Sequence, residues 1–192
     1  NEQDEAEYII NEIRSPKSET RNFSYSDFAV LYRINAQSRS IEEVFLHRSI
    51  PYVLVGGTRF YDRKEIKDIL AYLRLLANPK DMVSYKRIEK LGKGRLEKFL
   101  KFQDNFGVDT HSTIEILDQV VATTDYLSLY DEEDEMDRQR LENIKELRSV
   151  ALEFPDLNQF LENVALVEQE YMPDLPAGRQ ANQSGEKKDA VT

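Results

Sequence analysis

The chain has 192 residues, 40% of them apolar and 32% charged, with a formal net charge of −10; this is a globular balance on the hydrophilic side, enough to bury a core. It contains no cysteine and only two histidines, His47 and His111, which excludes disulfide staples, thiolate metal sites, a cysteine nucleophile and a histidine-built zinc centre. The acidic opening Asn1-Glu2-Gln3-Asp4-Glu5 is unlike a signal peptide and no run of about eighteen apolar residues offers a membrane span, so a cytoplasmic protein without a membrane partner is expected.

Ala6, Ile9, Ile10 and Ile13 recur at helical spacing among acids, and Ser15-Pro16 closes that helix. A polar connector leads to Phe28-Ala29-Val30-Leu31-Tyr32, a short apolar run of buried-strand type. Ser40 and Glu43 have the spacing of a capping box ahead of Val44 and Phe45. Pro51-Tyr52-Val53-Leu54-Val55 reads as a second strand, stopped by Gly56-Gly57. Strand, helix and strand within about thirty residues make a βαβ unit and imply a parallel sheet.

Beyond Phe60 the pattern is helical. Ile66, Ile69, Leu70, Leu73 and Leu76 stripe one helix that stops near Asn78-Pro79. Shorter helices are expected at 82–90 and 94–103. Ser112 with Glu115 caps another, Leu141 to Phe154 stripe a longer one, and Asp156 is a good N-cap for a last. From Pro173 to Lys188 the chain is polar and aperiodic, and is expected to be a mobile loop. Two strands are too few for an independent parallel sheet, and Asp189-Ala190-Val191-Thr192 begins a new apolar run, so the chain reads as a piece of a larger protein.

The negative charge is uneven. Residues 1–60 are net −2, 61–110 net +4 and 111–192 net −12. Within 86–101, Lys86, Arg87, Lys90, Lys93, Arg95, Lys98 and Lys101 face only Glu89 and Glu97. Local charge governs phosphate binding, because the field decays over a Debye length of about 8 Å. Inside this segment Leu91-Gly92-Lys93-Gly94-Arg95 joins two helical patterns. Glycines allow a backbone to approach phosphate, and the N–H groups of the following helix would face it. The same residues also suit an ordinary turn with solvated lysines. The GxxxxGK[ST] spacing of a nucleotide loop is absent.

Arg33 and Asn35 follow the first strand, where ligands bind in open α/β sheets, and their chemistry suits phosphate, sugar or base; carbonyl capping and a turn are the bland alternative. The acidic run Asp131 to Asp137 lacks the spacing and glycine of a calcium loop and reads as a solvated linker. Phe60, Tyr61 and Tyr72 read as core rather than as stacking platforms. The histidines have no partner pattern, and no catalytic constellation stands out.

Taken together, Phe28 to Arg39, Ile50 to Gly57, Phe60 to Asp68 and Ala71-Tyr-Leu-Arg74 resemble the UvrD/PcrA/Rep-type superfamily 1 DNA helicases at motif IV and the passage from domain 2A into domain 2B. The likeness is dense over about 23–81, thin over 82–139, and returns at Arg140 to Leu147 and Asp189 to Thr192. It implies an α/β fragment: a βαβ piece of a RecA-like parallel sheet (1–60, partial 2A), then a mainly α-helical 2B domain (61–187), then a strand returning to 2A (188–192). It further implies single-stranded DNA contacts at Arg33, Asn35 and Arg39, duplex contacts at Gly92, Lys93, Gly94 and Arg95, and a hinge at Gly56 and Gly57. At the duplex element Leu91 to Arg95 the sequence departs from the family's Gly-Ile-Gly pattern, with a shorter approach and no following threonine. ATP and Mg2+ belong to the parent enzyme's Walker motifs, which are not found here, so the fragment is expected to hold no cofactor and to be inactive alone. Its expected partners are single-stranded and duplex DNA, domains 1A and 1B, the rest of 2A, and repair or replication proteins. The rival reading is a 2B domain serving autoinhibition or protein interaction with little DNA contact, which the acidic 111–192 half favours. A more distant rival is an independent βαβ protein outside the helicases.

Overall fold

In the computed structural model, which describes residues 2–15, 23–55 and 57–170, the chain divides between Arg59 and Phe60 into two units. The first comprises the described residues before Phe60 and those from Leu166 on; the second is Phe60–Ala165. Gly56 of the expected hinge, the 173–188 loop and the 188–192 return strand lie outside the described residues.

In the first unit, α1 (Glu2–Ile13) and α2 (Ser38–His47) pack together. Helical spacing puts Ala6, Ile10 and Ile13 on the inner face of α1, where Ile10 and Ile13 meet Phe45 of α2 and Ile50 beyond it. Phe28, Val30 and Tyr52 complete this core, with Tyr52 edge-on to Phe45 at 5.9 Å. Arg48 links the outer surface, pairing with Glu7 at 2.8 Å while its carbonyl accepts from Arg14.

The expected parallel strands are not formed: among the described residues, 28–32 and 51–55 run without a ladder, Tyr52 making an isolated bridge only. Their period of two survives in burial. Phe28, Val30 and Tyr52 face the core, while Leu31, Val53 and Val55 are 95%, 51% and 69% exposed. The alternation of a pleated strand is therefore present, without the ladder and second covering layer of a parallel sheet among the described residues. The helix between them also starts differently. Ser40 lies inside its first turn, its hydroxyl donating to the Gln37 carbonyl at 3.3 Å, so the expected Ser40–Glu43 capping box is absent.

In the second unit the expected helices appear as α3 (Lys64–Ala77), α4 (Met82–Glu89), α5 (Lys93–Gln103), α6 (Thr113–Thr124), α7 (Glu135–Glu153) and α8 (Leu157–Glu170), the last turn of which belongs to the first unit. Helix α3 is apolar on most sides, with Ile66, Ile69, Leu70, Tyr72, Leu73 and Leu75 essentially inaccessible, because it is central and packs on α4, α6 and α7. Phe60 and Tyr61 are core residues beside it. Caps set the boundaries: the Asp81 carboxylate accepts from Val83 and Ser84 N–H at the start of α4, and Glu115 accepts from Ser112 N–H and Oγ at 2.8 Å each. The acidic run is only partly a linker. Asp134 caps α7 by accepting from Asp137 N–H at 2.9 Å, and Glu135 and Asp137 occupy the first turn, where negative charge suits the helix dipole. Among the described residues no helix is long and apolar enough to cross a membrane.

Candidate functional site

The candidate residues fall into two separate groups, one in each unit. In the first, the Gln37 side-chain oxygen accepts from the backbone N–H of Ile34 and Arg33, at 3.1 and 3.2 Å. This fixes the bend that follows the extended segment 28–32. Arg33 is exposed there, and its guanidinium has no protein partner among the described residues. Asn35 opens the 3-10 turn Asn35–Gln37 and lines a groove with Leu31, Val53, Leu54, Val55 and Gly57. Arg39, grouped with them by resemblance, is placed otherwise. It is 3% exposed and pairs with Glu43 at 2.7 Å, so it is buried here and not presented to a phosphate. Gly57 needs neither a positive φ nor unusual space; an added Cβ would meet only Leu54, at 3.5 Å.

In the second unit the basic segment folds as the α4–α5 hairpin, and its arginines and lysines part company. Lys86, Lys90, Lys93, Lys98 and Lys101 are exposed. Arg87 turns inward, its Nε donating at 2.6 Å to the carboxylate of Asp68, itself 2% exposed, and its Nη2 to the Lys64 carbonyl. Arg95 also turns inward, donating to the carbonyls of Leu91 and Asp125 and, at 2.9 Å, to Ser128 Oγ. Lysine stems carry a compact charge outward, whereas the guanidinium fork suits several fixed acceptors.

Between the helices Gly92 has φ +126°, a conformation that L side chains rarely adopt. Its carbonyl accepts from Arg95 and Leu96 N–H at 3.1 Å each, which leaves the Lys93 and Gly94 amides as the uncommitted donors at the start of α5. Gly94 adjoins open space, with nothing within 4 Å of an added Cβ. Exposed backbone donors, the positive end of a helix and surrounding lysines together form a surface suited to phosphate.

A residue that the sequence reading missed is Asp68. It also accepts from Tyr126 OH at 2.9 Å, and Tyr126 OH and Tyr130 OH are 2.8 Å apart. Burial first, then the hydrogen bond with Tyr130 and the Asp68 charge, push the Tyr126 hydroxyl far above its ordinary pKa, so it remains a neutral donor. The available clue was a carboxylate inside the apolar stripe of α3, since a buried charge needs a partner. Nearby, Arg63 donates to Asn143, which donates to Glu65, at 2.7 and 2.6 Å. No group of three metal-ligating side chains occurs among the described residues.

Comparison with known proteins gives a consistent result. A family model described as the UvrD-like helicase C-terminal domain matches residues 1–119. The ATP-dependent DNA helicase PcrA of Staphylococcus epidermidis is 36% identical over 216 aligned positions, and that of Staphylococcus aureus 35%. Each alignment covers 91% of this chain and 29% of the relative, so the chain spans under a third of the length of these relatives.

Proposed function

Because the chain belongs to the UvrD-like helicase C-terminal domain family, we propose that it is the non-catalytic 2A–2B portion of an ATP-dependent 3′–5′ DNA helicase, contributing single-strand and duplex contacts and regulating unwinding. In this reading the first unit is a corner of a RecA-like 2A domain, and Arg33 and Asn35 touch single-stranded DNA. The second unit is 2B, and its α4–α5 hairpin holds duplex phosphates with Lys93, the amides at Gly94 and the neighbouring lysines. The link around Gly57 is the pivot between the units. Nucleotide chemistry stays with the domains that carry the Walker motifs, and the other partners are those domains, 1A, 1B and the rest of 2A.

The observation that carries the proposal is the outward set of lysines around the open amides of α5. An anisotropy titration with a blunt duplex tests it. Affinity should fall steeply with salt, and Lys93→Gln should lower the magnitude of the log–log slope by about 0.9, one phosphate's worth. Salt-independent binding, or an unchanged slope in the variant, would overturn it. On the first unit, Arg33→Ala in the full-length helicase should weaken single-strand binding and DNA-stimulated ATPase without unfolding; wild-type stimulation would make Arg33 a structural residue only.

A second reading, 2B as an autoinhibitory or protein-interaction module, is favoured by exposed Leu127, Leu129 and Met136 around the acidic run. It predicts no salt-dependent duplex binding by this chain.

A further inference from the structure

Seven basic residues in 86–101 would ordinarily all be counted as phosphate contacts. The geometry separates two of them. Arg95 leaves the surface of α5 to bond Leu91 O at 3.3 Å, Asp125 O at 3.4 Å and Ser128 Oγ at 2.9 Å. Its Nε is buried without a partner, so the group is withdrawn from water on one side. The guanidinium also lies back over the glycine turn, since a Cβ at Gly92 would stand 3.9 Å from Nη1. The acceptors are themselves fixed. Asp125 ends α6 with φ 52°, and the Ser128 hydroxyl donates back to its carbonyl at 2.8 Å. In the same turn Tyr126 is fully buried and bonds Asp68, which holds Arg87 of α4. One turn, Asp125 to Leu129, therefore anchors both helices of the basic hairpin, through one arginine on each.

We infer that Arg95 is a positioning residue for duplex binding, and that the Asp125–Leu129 turn is the fixed point against which it sets the Gly92–Gly94 backbone. The inference rests on the duplex reading above. Arg95 holds the Leu91 carbonyl, one residue before the strained glycine, and the 125–129 turn at once. It thereby locks the angle at which the amides of α5 and Lys93 meet a phosphate, while making no phosphate contact itself.

Counting phosphates separates positioning from contact. Duplex affinity is measured across a salt series for the chain and for Arg95→Gln, Arg95→Lys, Ser128→Ala and Lys93→Gln, with thermal melting of each. Losing hydrogen bonds to a charged donor should lower duplex affinity roughly tenfold in Arg95→Gln, with the salt slope unchanged. Arg95→Lys should not restore affinity, because it keeps the charge but not the three-way fork. Ser128→Ala should shift affinity in the same direction by a smaller factor, again at wild-type slope, and it decides the matter should Arg95→Gln fail to fold. A slope reduced by about 0.9 in Arg95→Gln, or recovery in Arg95→Lys, would make Arg95 a contact and overturn the assignment. Unchanged affinity in Arg95→Gln and Ser128→Ala would overturn it as well. Failure of Lys93→Gln to change affinity or slope would bring down the duplex reading, and this inference with it.

Discussion

Two buried tyrosines of the second unit separate a hydroxyl that is used from one that is not. Tyr72 packs on Phe99 and Tyr126, with ring centroids 5.0 and 6.2 Å away, but its buried hydroxyl makes no well-formed hydrogen bond. The Thr124 hydroxyl beside it donates instead to Val120 O at 2.7 Å. Burial pushes the Tyr72 phenol up to about 12. Tyr72→Phe removes only the unsatisfied atom and should leave the melting temperature equal or higher. Tyr126→Phe strips a hydrogen bond from buried Asp68 and should cost about 1–3 kcal/mol. Equal losses in urea unfolding would show that Tyr72 has a partner after all. The glycines at the hairpin divide in the same way. Gly92→Ala is strained by about 1 kcal/mol or more, because φ is positive there. Gly94→Ala sits in a helix beside open space and should stabilise by up to about 1 kcal/mol. If a phosphate approaches the Gly94 backbone, that more stable variant should nonetheless bind duplex more weakly; undiminished duplex binding would make Gly94 an ordinary helix residue.

Among the elements, capping decides where helices begin, and it was legible wherever the cap acts alone. Ser112 with Glu115 and Asp156 with Gln159 N–H bond as their spacing predicts. Ser40 with Glu43 has the same spacing and fails, because Arg39 takes the Glu43 carboxylate and the helix has already begun at Ser38. The bonds that shape the second unit were not legible at all. Arg95 to Ser128 and Tyr126 to Asp68 span 33 and 58 residues, and no local period encodes such pairs. Helix α4 offers a test of its cap. The Ser84 hydroxyl, at 2.6 Å, and the Ser84 and Val83 amides hold the Asp81 carboxyl below its ordinary pKa of 3.8. A depressed folded pKa means that this stabilisation is complete above the unfolded value and is lost as pH falls from there through the folded one. Asp81→Ala should cost about 1 kcal/mol near neutrality, and the gap to wild type should close below about pH 4. A difference constant from pH 7 to pH 3 would exclude the carboxylate as its source.

At the scale of the molecule, each unit has its own core, and each leaves some apolar side chains in water. In the first unit the exposed ones gather: Leu31, Val53 and Val55 are uncovered on one side of its two extended segments. Covering such a side chain stabilises by about 1.5–3 kcal/mol, so a face of three is a substantial incentive for a further layer. If the first unit is a corner of a RecA-like domain, that layer is the remainder of 2A in the longer protein. The same substitution should then have opposite consequences in two contexts. In this chain Leu31→Asp alters a side chain already in water and should leave chemical denaturation within about 0.5 kcal/mol of wild type, as surface changes do. In the full-length helicase it would place a carboxylate beneath a packed layer, lowering stability by several kcal/mol and reducing DNA-stimulated ATPase with it. Val53→Asp should repeat the pattern from the neighbouring segment. Neutrality in both contexts would mean that this face stays open in the whole enzyme and that the extended segments are not sheet strands there. Damage in the isolated chain would mean that the face is already covered by the chain itself.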